Sequence, residues 1–135
     1  PEQDDRYLRY VVARLAASGI VDDGRFAEGR AASLFRRGAS RRAIAVKLAQ
    51  KGIGDAEIAT ALAGLDALAD DPELSAAAAY ARRRRIGPWR SDADRARCRD
   101  KDLACLARAG FASAIAREVI EAPSPEALMA RAAGA

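Results

Sequence analysis

The chain has 135 residues, a formal net charge of +4 and two cysteines, and 50% of its residues are hydrophobic but only 5% aromatic. This length allows one domain or two very small ones, with a thin core of Leu, Ile, Val and Ala. The composition favours helix over strand, and no apolar run is long enough to span a membrane or resembles a signal peptide.

The first predicted helix carries one apolar face at i, i+3, i+4 and i+7, formed by Leu8, Val11, Val12 and Leu15. Gly19 ends this helix. Residues 15–20 read Leu-Ala-x-x-Gly-apolar, a pattern typical of a Schellman C-cap, in which the residues on either side of the turn contact each other.

The same six-residue pattern occurs again at residues 48–53 and 106–111. Three copies in so short a chain indicate repeated helix–turn–helix geometry. Chance recurrence is the alternative, because Leu and Ala are common in this sequence.

Residues 22–66 are predicted to form a three-helix repeat. Asp22 or Asp23 can cap its first helix, Phe26 flanks the apolar arc, and Gly38 ends the helix. The arc itself consists of Ala27, Ala31, Leu34 and Phe35.

The second helix of this repeat can be capped by Ser40 and buries Ile44 and Leu48. The third begins at Gly54 or Asp55, after the turn at Gly52 and Ile53. Its predicted apolar face consists of Ile58, Ala61, Leu62 and Leu65.

Residues 73–122 are predicted to form a second, altered three-helix repeat after an acidic linker that ends in proline. Its first helix runs into Arg82–Arg85 and stops at Gly87–Pro88. A long helix follows over about 93–109, and a short helix comes after Gly110. Residues 123–135 are predicted to be a tail, with a loose Ala-rich helix. The fold class is therefore all-α, an elongated array of tandem three-helix repeats without a β-sheet.

The two cysteines, Cys98 and Cys105, are predicted to share one helix. Their seven-residue spacing corresponds to about 10.5 Å along the axis, which excludes a disulfide within that helix. Reduced thiols suit a cytoplasmic protein. The chain has no histidine, and we predict no metal and no cofactor.

Charges are segregated along the chain. Residues 25–51 hold eight basic residues and one acid, and residues 82–101 hold nine basic residues and three acids, giving net charges of +7 and +6. Between them, residues 54–75 hold six acids and no base.

Charged helix faces are often merely solvated, but four arginines around the turn at Gly38 repel one another unless an anion is near. Arg82–Arg85 covers a full helical turn, so these four side chains cannot all face one surface. The predicted phosphate-binding residues are Arg36, Arg37, Arg41, Arg42, Lys47, Lys51, Arg82, Arg83, Arg84 and Arg85.

Sequence-specific DNA reading and catalysis are both disfavoured. A recognition helix needs Arg, Lys, Asn or Gln to reach the edges of the DNA bases. The helix predicted after Gly54 carries the acidic residues Asp55 and Glu57 and no Lys or Arg. The chain has no glycine-rich phosphate loop and no nucleophile beside an evident base, so we predict that it is not an enzyme.

Several stretches of the chain together resemble the central motif of the RecX family of bacterial recombination regulators. They are residues 19–27, Arg37–Gly38, Leu48, residues 51–53 and Ile58. That family shows Gly-(Tyr/Ile)-(Ile/Leu/Val)-Asp-Asp-x-x-Phe-Ala, a basic-Gly turn and Leu-x-x-Lys-Gly-Ile. Residues 106–111 look like its C-terminal repeat. The structural-motif positions are Asp22, Asp23, Phe26, Gly38, Leu48, Gly52, Ile53 and Gly110.

The resemblance, which covers roughly residues 8–121, implies a cytoplasmic, non-enzymatic regulator of DNA repair, homologous recombination and the SOS response. Its partner would be the RecA recombinase filament on single-stranded DNA, whose activity it would most often inhibit. A full family member has two more helices before Leu8, so residues 1–21 are expected to be the last helix of an incomplete first repeat. The competing interpretation is a sequence-nonspecific, basic DNA-binding module with weak contacts to the DNA backbone.

Overall fold

The computed structural model describes residues 23–134, which form helices and turns without a strand. Eight α-helices occur in this range: α1 (Asp23–Arg36), α2 (Arg41–Gln50), α3 (Asp55–Ala63), α4 (Pro72–Arg84), α5 (Asp92–Arg97), α6 (Arg99–Arg108), α7 (Ser113–Glu121) and α8 (Pro125–Ala132). Two short 3-10 turns lie at Gly64–Ala67 and Gly87–Trp89. The predicted helix before Gly19, its C-cap and the capping role of Asp22 lie outside the described residues.

Helices α1, α2 and α3 pack on one another as a first module. The predicted apolar arc of α1 is buried, as are Ile44 and Leu48 on α2. Ser40 caps α2 as predicted, because its Oγ accepts a 3.1 Å hydrogen bond from the Ala43 N–H. Helix α3 begins directly after Gly54, and the chain tightens into the 3-10 turn that buries Leu65.

The second module is built around the alanine-rich face of α4. Asp71 caps this helix at the Leu74 N–H, and Pro72 occupies its first turn, where a missing N–H is harmless. Ala77, Ala78 and Ala81 are fully buried, which lets neighbouring helices approach closely. Helix α4 packs against α7 and α8, and α6 packs against α7.

The single helix predicted over about 93–109 is wrong, because the chain breaks at Cys98 into α5 and α6. The Cys98 backbone, at φ −96° and ψ 6°, lies outside the α region. On the α6 side of the break, the carboxylate of Asp102 turns inward and accepts a 3.0 Å hydrogen bond from the Gly87 N–H. This buried contact holds α6 against the turn that follows α4.

The helix after Pro123, predicted to be loose, is packed. Ser124 caps α8 at the Ala127 N–H, and Leu128 and Ala132 on its inner face are buried. The Ser75 hydroxyl on α4 donates a 3.1 Å hydrogen bond to the Ala132 carbonyl. Helix α8 therefore contributes to the core of the second module.

Candidate nucleic-acid interface

Three adjoining concavities form one groove across the joint between the two modules. The first and second share Arg37 and Arg83, and the second and third share Ala43, Lys47 and Ala109. We call this surface the basic groove. Its cations are Arg36, Arg37, Arg42, Lys47, Arg82, Arg83, Arg85 and Arg108.

The basic groove contains no acidic residue among those that line it. Within residues 23–134, none of its eight cations forms an ion pair with a carboxylate. Eight like charges on one concave surface repel one another and create a strong positive potential. The groove is therefore suited to a polyanion.

Helix ends place the cations at one end of the groove. Arg36 is the last residue of α1, and Arg82 and Arg83 lie in the last turn of α4. The unsatisfied carbonyls at a helix C-terminus carry partial negative charge, which favours cations there. This interaction offsets part of the repulsion between the arginines.

The turn between α1 and α2 joins the modules by close contact. A Cβ at Gly38, whose φ is +95°, would lie 2.5 Å from the backbone N of Tyr80 on α4. The Ser40 Oγ donates a 2.8 Å hydrogen bond to the Ala109 carbonyl at the end of α6. The Arg41 N–H donates a 2.9 Å hydrogen bond to the Glu73 carboxylate on α4.

These contacts fix the position of the first module relative to the second, and each module supplies one side of the groove. Arg36 and Arg37 immediately precede the Gly38 turn, and Arg108 immediately precedes Ala109, the acceptor for Ser40. Consequently, the positions of cations from α1, α4 and α6 depend on the same tightly packed joint.

Three of the ten predicted phosphate-binding residues do not line the basic groove. The Arg41 guanidinium pairs with Asp66 and donates to the Leu62 carbonyl, which keeps it within the first module. The Arg84 guanidinium lies 5.2 Å from the ring centroid of Tyr80, a cation–π contact. Lys51 is exposed at the end of α2 but does not line the groove.

Sequence reasoning missed Arg108, which lines the groove from the end of α6. A signal was present, because Arg108 lies two residues before Gly110 in the repeated C-cap pattern. Arg37 occupies a similar place just before Gly38 in the first module. Comparing basic residues next to the glycine turns would have identified Arg108.

The second basic block is divided between the groove and the protein interior. Arg90 forms a forked pair with Asp102, with Nε and Nη2 donating to the two carboxylate oxygens at 2.8 and 2.9 Å. This hydrogen bonding raises the pKa of the Arg90 guanidinium. Arg95 Nη2 donates to the carbonyls of Ile120 and Ala122 at the end of α7. Both arginines stabilise the second module and are not groove residues.

The acidic block is also partly used inside the molecule. Asp66 pairs with Arg41, Asp71 caps α4, and Glu73 accepts from the first turn of α2. Only Asp55 and Glu57, in the first turn of α3, present exposed carboxylates close together on one helix. The alternating charge blocks of the sequence therefore do not form equally strong alternating acidic and basic surfaces in the structure.

Tyr80 lies at the centre of the joint. Its ring packs edge-on against Phe111 with centroids 5.9 Å apart, and its hydroxyl shares a 3.3 Å hydrogen bond with the Cys105 Sγ. Burial raises the pKa of Tyr80, and the contact with Cys105 acts in the same direction, while the positive charges of Arg84 and Arg108 oppose it. The Arg84 guanidinium lies over the Tyr80 ring, so Tyr80 is placed beneath a cation of the surface.

The chemistry offered by the groove is binding of anions through guanidinium and ammonium groups. Arginine forms paired hydrogen bonds to phosphate oxygens, and these contacts carry no sequence information. Among residues 23–134, no group of three or more Cys, Asp or Glu side chains is arranged to hold a metal ion. None of the described helices is long and apolar enough to cross a membrane.

The fold and the groove define a helical-repeat protein with a concave, positively charged face. Residues 22–62 match the family model for the second three-helix domain of RecX. The Regulatory protein RecX of Myxococcus xanthus is 40% identical over 116 residues, which cover 85% of this chain and 61% of that relative. Residues 22–62 are therefore a RecX-family three-helix domain, and most of the chain is similar to RecX regulatory proteins.

Two mycobacterial relatives give the same result. The Regulatory protein RecX of Mycobacterium ulcerans is 39% identical over 111 residues, covering 82% of this chain and 62% of the relative. That of Mycobacterium tuberculosis is 40% identical over 111 residues, covering 82% and 63%. The chain thus spans less than two thirds of the length of these relatives. No solved structure matches it.

Proposed function

We propose that this chain is a cytoplasmic, non-enzymatic regulator that binds the RecA filament on single-stranded DNA and inhibits the recombinase in DNA repair, homologous recombination and the SOS response. The names of its relatives support a regulatory role. RecA and its filament are the partner implied by the resemblance of the central motif to RecX. The positive charge of the basic groove supports the nucleic-acid part of this proposal.

The observation that carries this proposal is the basic groove, with eight cations and no acid among its lining residues. Phosphate groups neutralise the repulsion between these cations and release counterions when they bind. Each neutralised phosphate on a single strand contributes roughly 0.7 to the slope of affinity against salt on logarithmic axes. The expected binding is therefore strong at low salt and independent of base sequence.

The protein part of the filament needs a second contact. Asp55 and Glu57 on α3 are exposed and lie outside the groove. They can face a basic protein surface while the groove faces phosphate. This arrangement favours a mixed protein–DNA partner over naked DNA, because only the mixed partner uses both surfaces.

The test is co-sedimentation of the full chain with RecA filaments on single-stranded DNA, beside naked single-stranded DNA, at about 50 and 200 mM salt. The groove variant is Arg37→Glu/Lys47→Glu. The matched control is Arg117→Glu/Lys101→Glu, which changes the net charge equally at two exposed positions outside the groove. ATPase and strand-exchange rates of RecA report inhibition.

We expect the unaltered chain and the control to bind filaments at the higher salt, and the groove variant to lose at least about tenfold in affinity. Equal, salt-sensitive binding to filaments and to naked DNA would favour the alternative, a sequence-nonspecific DNA-binding module. Equal filament binding by the groove variant and the control would contradict the assignment of the groove.

A further inference from the structure

Arg85 has an unusual backbone conformation. Among residues 23–134 it is the only residue other than glycine with a positive φ, at 57°. Its ψ is 46°, which places it in the left-handed α region. A side chain with a Cβ is strained there, because the Cβ approaches the following carbonyl oxygen.

The chain contains its own comparison for this position. Four described helices end with the same backbone hydrogen bond. Its donor is the N–H of the residue that follows the left-handed one, and its acceptor is the carbonyl five residues earlier. The bonds run from Ala39 to Leu34 at 3.0 Å, from Ile53 to Leu48 at 3.1 Å, from Ile86 to Ala81 at 3.0 Å and from Phe111 to Leu106 at 3.2 Å. In the other three turns the left-handed residue is glycine: Gly38, Gly52 and Gly110. Of these four helices, only α4 places an arginine there.

The Arg85 side chain lines one end of the basic groove. It borders the same cavity as Arg36 and Arg37 from α1 and Arg82 and Arg83 from α4. Within the described residues it makes no ion pair with an acid. Neither a carboxylate nor a favourable backbone therefore explains why arginine occupies this position.

We infer that Arg85 occupies a position that locally favours glycine because its guanidinium binds the phosphate backbone of a single strand at the α4 end of the groove. This inference rests on the proposed function, since it takes the groove ligand to be nucleic acid. The strained backbone at the end of α4 brings Arg85 into the cavity as a fifth cation.

Arg84 provides a matched comparison within the same run of four arginines. It has helical geometry, as the last residue of α4, and its guanidinium lies over Tyr80 and not in the groove. Arg84→Gly and Arg85→Gly remove the same charge one residue apart. Their effects on long-range electrostatics are therefore nearly equal, while their effects on backbone strain have opposite signs.

The test compares thermal unfolding and binding of a fluorescein-labelled oligothymidylate for the full chain, Arg84→Gly, Arg85→Gly and Arg85→Lys. Arg85→Gly is expected to raise Tm by about 3–6 °C and to weaken binding about three- to tenfold at about 50 mM salt. Arg84→Gly is expected to lower Tm and to weaken binding less. Arg85→Lys is expected to retain the Tm of the unaltered chain and most of its affinity.

Either half of the inference can be overturned separately. If Arg85→Gly does not raise Tm, the helix end is not strained by the arginine. If Arg85→Gly binds the oligonucleotide as tightly as the unaltered chain does, the guanidinium does not serve the groove, although the proposed function survives. If the unaltered chain binds neither the oligonucleotide nor RecA filaments, the inference and the proposed function both fail.

Discussion

Ser40 and Ala109 lie 69 residues apart in sequence and are joined by a 2.8 Å hydrogen bond from the serine hydroxyl to the alanine carbonyl. The same oxygen accepts a hydrogen bond from the Ala43 N–H and so caps α2. One fully buried hydroxyl therefore stabilises a helix start and the contact between the modules.

Ser40→Ala is expected to lower the free energy of unfolding by about 2–3 kcal/mol, because it removes a cap and leaves the half-buried Ala109 carbonyl without its partner. Urea denaturation measures this change. Ser91→Ala is the control, since Ser91 is exposed and only caps α5 at the Asp94 N–H. We expect a loss of about 1 kcal/mol or less for the control. Equal losses would show that the bond to Ala109 contributes nothing.

Gly38→Ala tests the close approach of the two modules. A methyl group there would overlap the Tyr80 backbone and would also sit at a positive φ, so we expect a loss above about 3 kcal/mol. Gly52→Ala is a matched control, because Gly52 also has a positive φ but no atom beyond its two neighbours in the chain lies within 4 Å of the place its methyl group would take. Its loss is expected to be about 1–2 kcal/mol. Similar losses for both variants, measured by urea denaturation, would argue against a tight joint at Tyr80.

Asp102→Asn tests the buried ion pair with Arg90. Asp102 is 1% exposed and the Arg90 side chain 22% exposed, so the unpaired arginine can recover only part of its hydration. We expect a loss of about 2–3 kcal/mol in thermal and urea unfolding. Asp94→Asn breaks the exposed pair with Arg97 and is expected to cost less than about 1 kcal/mol. The assignment fails if the two substitutions have equal effects.

Tyr80 predicts a decline in stability at alkaline pH. Burial raises its pKa in the folded state, so the folded chain holds the phenol proton more tightly than the unfolded chain does. The corresponding stability is fully present below the unfolded pKa of about 10 and is lost as the pH rises through the raised folded value. Tyr80→Phe should unfold with a flatter dependence on pH between about 9 and 11. An unchanged slope in urea unfolding across this range would contradict the prediction.

The helices of the first module were predictable because local signals agree with the packing. The apolar spacing of Ala27, Ala31, Leu34 and Phe35, the cap at Ser40 and the glycine turn at Gly52 each depend on a few neighbouring residues. Such signals can be recognised in a single sequence.

The break at Cys98 was not predictable from local signals, because the contacts that accompany it join α6 to the turn after α4. The residues around Cys98 suit a continuous helix, and the departure accompanies the burial of Asp102 against Gly87 and Arg90. Packing of α8 on α4 was missed for a similar reason, since it depends on Leu128 meeting a surface formed some fifty residues earlier.

The sequence predicted the chemistry of the candidate site, an anion-binding surface, but not the full set of residues that line the groove. Clusters of arginine indicated an anion partner, and seven of the ten predicted residues line the groove. Arg41 and Arg84 do not line it, because Asp66 and Tyr80 lie within their reach, and spacing along one helix does not reveal such contacts. Arg108 lies outside both basic blocks, and only its place beside the turn at Gly110 indicated it.

The contact of Gly38 with Tyr80 also limits how the family can vary. Surface connections between helices usually tolerate added or deleted residues. The connection between α1 and α2 cannot change length without withdrawing Ser40 from Ala109 and turning Arg36 and Arg37 away from α4. Related chains that keep the groove should therefore preserve the number of residues from Arg37 to Ser40, and insertions should accumulate in the acidic connection before α4.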